Sequence, residues 1–299
     1  MSSSRHPVAL SIERRVSSST RLLAVVMLLP LVDGVFAALV LAGALESTAG
    51  ILEVGLLIFG GSAMVAVILA EMDHPPRQQA KIVLGIGVVM IVGAAVQAAI
   101  APTIESVLNM IVFERFAALV ILSVAATTAS SRLSEYLPGP AVIVALGLIA
   151  SISPSGATLS FQADLELTAR AMAAAGIGVV FALVIALTSP YLRNAVDIDR
   201  FRFGSAVALG VLAFSVFGLI PGNAPVALAV LIVTSLLAFD PGRARERERI
   251  YRPDDIDITA ALSDGGNKSS RSAESESNSP EERSDSEVLE REHDRPPWF

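Results

Sequence analysis

A single carboxylate lies deep inside the first apolar run of the sequence, at Asp33. It falls about 11 residues into a run that begins at Leu22, or ~16 Å along a helix, which is near the middle of a bilayer. Pro30 stands about one helical turn before it, and Gly34 follows it directly. Proline leaves a backbone carbonyl without its helical donor, and glycine makes room beside it. The three residues therefore predict a kinked helix whose inward oxygen atoms suit a proton or a hard cation.

Ionisable groups at this depth are costly and are functional candidates by default. We therefore predict an intramembrane ion or proton site formed by Asp33, Pro30 and Gly34. The alternative interpretation is structural, with a protonated or hydrogen-bonded carboxyl group that ties helices together. A basic partner is not obvious, because Arg132 lies at the inner end of its own run and matches the depth of Asp33 poorly.

Four more polar residues within or beside apolar runs are weaker candidates for the same pathway: Glu53, Gln97, Arg132 and Glu135. Glu53 is expected at the outer membrane interface, near the start of the second run. Gln97 is expected to bridge two helices by hydrogen bonds. Arg132 and Glu135 are three residues apart, and this spacing favours an interfacial ion pair over a gate.

Several kinds of chemistry find no support in the sequence. The chain has no cysteine, and its three histidines, His6, His74 and His293, all lie outside the apolar runs. An intramembrane haem, a zinc protease and a Ser-His hydrolase therefore lack their defining residues, and no phosphate-binding glycine motif is present. We predict that the protein is not an enzyme, and we predict no metal site and no cofactor.

The composition indicates the elements that must position these residues. The chain has 299 residues, of which 53% are hydrophobic and 17% charged, and its mean hydropathy is +0.63. Soluble domains carry about 25% charged residues. The charges are also unevenly distributed, because long apolar runs fill the chain up to Asp240. This pattern predicts an all-α fold, a polytopic transmembrane helix bundle whose principal partner is the lipid bilayer.

Eight apolar runs define the predicted bundle, which occupies residues 22–240. The fifth and eighth runs are shorter than the roughly 20 residues that cross a bilayer, so whether they cross fully is open. No internal repeat is apparent in the sequence. The predicted spans are 22–45, 51–70, 82–101, 115–131, 139–153, 171–190, 203–220 and 224–239.

The basic residues between the runs predict an orientation. With eight crossings and a cytoplasmic N-terminus, nearly all arginines and lysines of the connections fall on the cytoplasmic side, and only Arg115 and Arg170 fall outside. This asymmetry is the usual one for membrane proteins. We therefore predict a multi-pass protein of the cell membrane with both termini in the cytoplasm.

Polar segments flank the predicted bundle. Residues 1–21 form a cytoplasmic N-terminal segment, and residues 241–254 form a basic juxtamembrane segment suited to an anionic membrane surface. Residues 255–299 are rich in Ser, Glu and Asp and poor in apolar residues. Such a segment buries too little apolar surface to offset its ordering entropy, so the sequence predicts a disordered acidic tail.

Three stretches carry a resemblance to a known group of proteins. The opening Ser-Ser-Ser-Arg-His-Pro-Val-Ala-Leu, the run 29–36 and the tetrapeptide 70–73 resemble a haloarchaeal family of uncharacterised multi-pass membrane proteins. The resemblance covers most of residues 1–240 and implies no activity. The stretch 32–35 is also similar to the acidic helices of TerC-like and LysE-type exporters. That similarity implies an ion site at Asp33 alone, and the second acidic position of TerC-like proteins has no counterpart.

These observations predict a secondary transporter or exporter of a small solute or cation that uses Asp33 as its proton or ion site. The alternative is a membrane scaffold or sensor whose acidic tail binds a cytoplasmic protein partner. Nothing in the sequence indicates a nucleic-acid partner. A cavity that reaches Asp33 from one side would favour transport, and a dry, hydrogen-bonded Asp33 would favour the scaffold.

Overall fold

The computed structural model describes residues 18–153, 164–220 and 225–240. The predicted basic segment 241–254, the predicted tail 255–299 and nearly all of the N-terminal segment lie outside these residues. Within them the chain is all-helical, and the only β-type pairs are two isolated bridges. The α-helices are α1 Ser18–Val32, α2 Val35–Leu41, α3 Thr48–Glu53, α4 Ser62–Ala66, α5 Pro76–Glu105, α6 Met110–Ala129, α7 Pro140–Ser151, α8 Leu165–Ala195, α9 Ile198–Val216 and α10 Val226–Ala238.

Four stretches of the described residues are long and apolar enough to cross a membrane: Ser18–Leu41, Pro76–Glu105, Met110–Ala129 and Leu165–Ala195. A fifth is formed if the bent pair Thr48–Phe59 and Ser62–Glu71 counts as one span. The helices α7 and α10 are apolar but have only 12 and 13 residues. The all-helical class is thus confirmed, and the apolar helices are typical of a membrane protein.

The first span is broken between α1 and α2. Pro30 lies inside the last turn of α1, and Asp33 and Gly34 separate the two helices. Gly34 has a φ of 78°, a left-handed conformation that only glycine adopts without strain. A Cβ atom at Gly34 would also lie 3.3 Å from a methyl group of Val144 in α7. The kink predicted at Asp33 is therefore a true helix break that faces another helix.

The second segment is irregular along most of its length. A π-helical turn, Val54–Phe59, follows α3, and a second one, Val67–Glu71, follows α4. The two halves bend by 47° at Gly60 and Gly61. Each π turn holds one extra residue in the helical spiral, and such turns are frequent at functional sites.

Hydrogen bonds from two arginines of α8 show the relative direction of the long helices. Arg193, in the last turn of α8, donates to the carbonyl oxygen of Met72, which lies just before α5. Arg170, in the first turns of α8, donates to the carbonyl oxygens of Leu45 and Glu46, at 3.4 and 3.1 Å. The end of α8 therefore lies beside the start of α5, and the two helices pack antiparallel.

The helices α6 and α9 are antiparallel as well. Arg202, in the second turn of α9, donates from Nε to the carbonyl oxygen of Thr128 near the end of α6, at 2.8 Å. These contacts define two ends of the bundle. The basic end holds residues 72–77, 128–140 and 193–202, and the acidic end holds residues 42–48, 105–109, 151–153 and 164–170.

The last six helices that the structure describes form two three-helix units of the same design, α5–α7 and α8–α10. Each begins with a helix of 30 or 31 residues that contains a proline near its end, Pro102 or Pro190. Each continues with a helix of 20 or 19 residues and finishes with a short apolar helix. An isolated β-bridge then ties the end of the short helix back to the first junction, Leu108 to Ile152 in one unit and Val196 to Phe239 in the other. The sequence did not reveal this repetition.

Small side chains line the contacts between helices. Gly178 packs so closely on the second segment that a Cβ atom would lie 2.4 Å from Cβ of Phe59. Gly147 packs equally tightly on Phe116, whereas Gly210 has open space beside it. In lipid, where no hydrophobic force drives helices together, close backbone approach supplies the dispersion contacts that hold them.

Candidate functional site

A cavity of about 490 Å³ lies at the break in the first span. Its wall combines the last turn of α1, the bend of the second segment, the end of α6, the start of α7 and one face of α9. Most lining side chains are apolar. The lining residues that carry side-chain oxygen atoms are Asp33, Ser62, Thr127, Thr128, Ser134 and Ser205. Ser134 and the residues up to Gly139 are exposed, so the rim of the cavity lies at the basic end.

Asp33 is half-buried and lies on the wall of this cavity. Its Oδ1 atom accepts a hydrogen bond of 3.1 Å from the backbone N–H of Val35, the first residue of α2. Pro30 lines the same cavity, and Gly34 supports the break from behind. No Arg, Lys or His side chain within the described ranges forms an ion pair with Asp33. The carboxyl group has lone pairs beyond the one used by Val35 and can accept further hydrogen bonds at the cavity.

Gln97 of α5 forms a hydrogen bond at the helix break. In an unbroken helix the N–H of Val35 would bond the carbonyl oxygen of Leu31. Here Asp33 accepts from that N–H, and the carbonyl of Leu31 instead accepts from Nε2 of Gln97 at 2.7 Å. The side chains of Asp33 and Gln97 thus replace one helical hydrogen bond. The structure places Gln97 between helices, as the sequence predicts.

The hydroxyl groups around the cavity have different settings. Ser62 and Ser205 are buried, with 5% and 2% of their surface exposed. Thr127 donates to the carbonyl oxygens of Ser123 and Val124 within its own helix, at 3.0 and 3.1 Å. A hydroxyl that donates in this way still has lone pairs with which to accept a proton or to contact a cation.

Glu53 is buried within the bundle, and its position at the outer membrane interface stays a prediction. Only 7% of its surface is exposed, and its Oε1 accepts a hydrogen bond of 3.1 Å from the N–H of Leu228. Leu228 is in the first turn of α10, where backbone N–H groups have no partner within the helix. Glu53 therefore caps α10 from another segment, and it lies toward the acidic end, away from the Asp33 cavity.

Arg132 and Glu135 do not form the predicted ion pair. Both lie in a short 3₁₀ turn, Ser131–Glu135, and both are exposed. Arg132 instead lines a second, shallower cavity of about 320 Å³ together with Asp199 and Arg202 at the basic end. Both residues lie near the rim of the Asp33 cavity but not on its wall.

Among the oxygen-bearing residues of the cavity wall, the sequence missed the two that are buried, Ser62 and Ser205. The bend at Gly60 and Gly61 brings Ser62 to the wall, and the glycine pair inside an apolar run is the signal that could have revealed it. Ser205 comes from α9, far away in sequence, and no local pattern marks it. The described residues contain no cluster of three or more His, Cys, Asp or Glu side chains that could hold a metal ion.

Part of the chain matches a known family. Residues 90–217, from the middle of α5 to just past the end of α9, match the Family of unknown function (DUF5794). The matched range includes Gln97, Arg132 and Glu135 but neither Asp33 nor Glu53. No curated protein and no solved structure matches the chain. The family match agrees with the resemblance to uncharacterised proteins, while the haloarchaeal lineage and the likeness to exporters stay predictions.

Proposed function

We propose that the protein is a secondary transporter or exporter of a small solute or cation and that Asp33 is its proton or ion site. The observation that carries this proposal is the cavity at Asp33, which lies between two broken helices and has its rim at one end of the bundle. Broken helices with binding groups at the break are a recurring design of secondary transporters.

The membrane arrangement belongs to the same proposal. Eight crossings with both termini in the cytoplasm would place the basic end on the cytoplasmic side of the cell membrane, as the positive-inside rule favours. The rim of the cavity would then face the cytoplasm. In this arrangement α7 and α10 act as short crossings that are buried on one side by the longer helices.

The lining favours one class of solute. Ca²⁺ and Mg²⁺ take six or more oxygen ligands, whereas Asp33 is the one carboxylate among the described residues of the cavity wall. Apolar side chains such as Leu57, Phe59 and Leu209 form much of the rest. A small organic cation with an apolar body fits this combination of one negative charge and apolar walls. Exchange against protons at Asp33 would couple its movement to a pH gradient.

Transport by the purified full chain in lipid vesicles tests the proposal. The probes are ethidium and tetraethylammonium as organic cations, Na⁺ as a metal ion and glucose as a neutral solute, each measured with and without an imposed pH gradient. We expect gradient-driven movement of an organic cation. Asp33→Asn should abolish it, and Glu135→Gln, which removes an exposed carboxylate off the cavity wall, should retain it. Equal rates in protein-containing and empty vesicles for all four probes would reject the proposal.

A further inference from the structure

The two three-helix units correspond at one constant spacing in sequence. The spacing in sequence from Pro102 to Pro190 equals the spacing from Leu108 to Val196, the two bridge residues. It also equals the spacing between the residues that cap the second helix of each unit. Asn109 accepts from the N–H of Val112, and Asp197 accepts from the N–H groups of Asp199 and Arg200.

The buried positions repeat at the same spacing. In α5 the residues Val83, Gly87, Met90, Ala94, Ala98 and Ala101 are buried, and their counterparts in α8 are Ala171, Ala175, Gly178, Ala182, Ala186 and Ser189, all buried. In α6 the buried residues Phe113, Ala117, Ala118, Val120, Ile121 and Ala125 correspond to the buried Phe201, Ser205, Ala206, Ala208, Leu209 and Ala213 of α9. The two units therefore bury the same faces of corresponding helices.

One helix contact recurs with its partners exchanged. In the first unit Gly147 of α7 packs against the side chain of Phe116 of α6. In the second unit Gly204 of α9 packs against the side chain of Thr234 of α10. Phe116 and Gly204 are counterparts at the common spacing, and Thr234 is one residue off it from Gly147. A small residue on either side of the contact gives the same close approach.

The units have opposite orientations. The antiparallel pairs α5 with α8 and α6 with α9 join corresponding helices, which places the start of α7 at the basic end and the start of α10 at the acidic end. The broken segments follow the same arrangement. The first packs on α5 and α7, and the second packs on α8 and α10.

A carboxylate from a broken segment therefore lies near the start of each short helix. Asp33 and the start of α7 line the same cavity at the basic end. Glu53 is hydrogen-bonded to the start of α10 and buried. One short helix thus begins at a cavity, and the other begins at a buried hydrogen bond.

We infer that the chain contains an inverted repeat, residues 76–153 against residues 164–240, and that the contact of Glu53 with the start of α10 is the closed gate of a second access route. This inference rests on the proposed function and concerns how access to the transport site is controlled. In the alternate state the Glu53 contact opens and the start of α7 closes over Asp33, because exchange of conformations between inverted repeats moves the access route from one side to the other.

The absence of cysteine from the natural sequence makes single-cysteine labelling the direct test. Ala141→Cys reports on the start of α7, and Ala227→Cys reports on the start of α10. The full chain in lipid vesicles is treated with a water-soluble thiosulfonate, which reacts only with thiols that water reaches. We expect fast labelling of Ala141→Cys and slow labelling of Ala227→Cys.

Weakening the Glu53 contact should change the labelling rates at positions 141 and 227 in opposite directions. Glu53→Gln, which weakens a hydrogen bond to a charged group, should accelerate labelling at position 227 by about tenfold and slow labelling at position 141. Glu105→Gln, an exposed change at the same end, should leave both rates unaltered. Glu53→Asp, which keeps the charge but shortens the side chain, should shift both rates in the same directions if Glu53→Gln fails to yield folded protein.

Two results would overturn the inference. If labelling accelerates at position 227 but stays constant at position 141, the start of α10 frays locally and is not coupled to α7. If neither rate changes, Glu53 is not a gate. The labelling needs no solute, so a reciprocal change without any transport would reject the proposed function and leave the coupled gates in place. Transport without a reciprocal change in the labelling rates would support the proposed function and reject the coupled gates.

Discussion

The two carboxylates that lie within broken segments have opposite settings. Glu53 is buried at the start of α10 and accepts a hydrogen bond from a backbone N–H that has no other helical partner. Asp33 accepts from one N–H beside its own helix break and otherwise faces a cavity. An acidic residue inside an apolar bundle thus serves either to satisfy the backbone or to remain available to a ligand. Its hydrogen bonds distinguish these roles, and its depth does not.

The largest expected effect is on stability, from loss of the Glu53 cap. Glu53→Leu removes the acceptor and leaves the N–H of Leu228 at the start of α10 unsatisfied, which costs about 1–3 kcal/mol. Thermal unfolding of the purified protein in detergent measures this change. Glu105→Leu, an exposed substitution at the same end, serves as the control. Equal unfolding temperatures for the two variants would show that Glu53 does not support α10.

The next effect concerns the break beside Asp33. Gly34→Ala places a side chain at a left-handed φ and 3.3 Å from Val144, so we expect a loss of about 1–2 kcal/mol. Gly85→Ala, at a helical position with open space beside its Cβ, should be neutral or stabilising. The same unfolding assay compares the two. Similar stability of both variants would mean that the chain does not need the break.

A smaller effect is expected from the interhelical hydrogen bond of Gln97. Gln97→Leu removes the donor to the carbonyl of Leu31, and hydrogen bonds of this kind contribute about 0.6 kcal/mol and at most about 1.7 in membrane bundles. Gln97→Glu keeps the size but cannot donate when ionised, so it should destabilise at least as much. A stabilised Gln97→Leu variant would contradict the role assigned to this bond.

The smallest effect on stability should come from Asp33→Asn. The amide oxygen of asparagine still accepts from the N–H of Val35, so the free energy of unfolding should change by less than about 0.5 kcal/mol. This result would contrast with Glu53→Leu, whose loss should be larger because leucine has no acceptor for the N–H of Leu228. If Asp33→Asn is the more damaging of the two, the assignment of structural and functional roles is reversed.

Hydropathy was sufficient to predict the helical class, because each apolar run must satisfy its backbone internally. Helix ends were predicted less well. The run 171–190 is part of a longer helix, Leu165–Ala195, because Arg170 and Arg193 reach backbone carbonyls of neighbouring segments. A hydropathy analysis places the helix ends before these two arginines are reached. In the fold both arginines lie within the helix and donate hydrogen bonds to neighbouring segments.

The repeat could not be recognised from the sequence, for a physical reason. Five of the twelve corresponding buried pairs are identical, but the other seven share burial alone, as with Met90 and Gly178 or Val83 and Ala171. Close packing in lipid requires only that a larger residue on one helix meets a smaller one on the next. Asp33 was recognisable because a carboxylate in an apolar run is conspicuous, whereas the partner of Glu53, Leu228, lies in a distant segment and is apolar.

The π turn that follows Glu53 has a mechanical consequence. Such a turn holds one residue more than an α-helical turn would, and one residue corresponds to about 100° of rotation about the helix axis. If its hydrogen bonds revert to the α-helical pattern, the preceding turn swivels relative to the following one while the segment stays helical. Glu53 lies directly before this turn. The segment can therefore act as a torsional joint that turns the carboxylate away from α10 without unfolding.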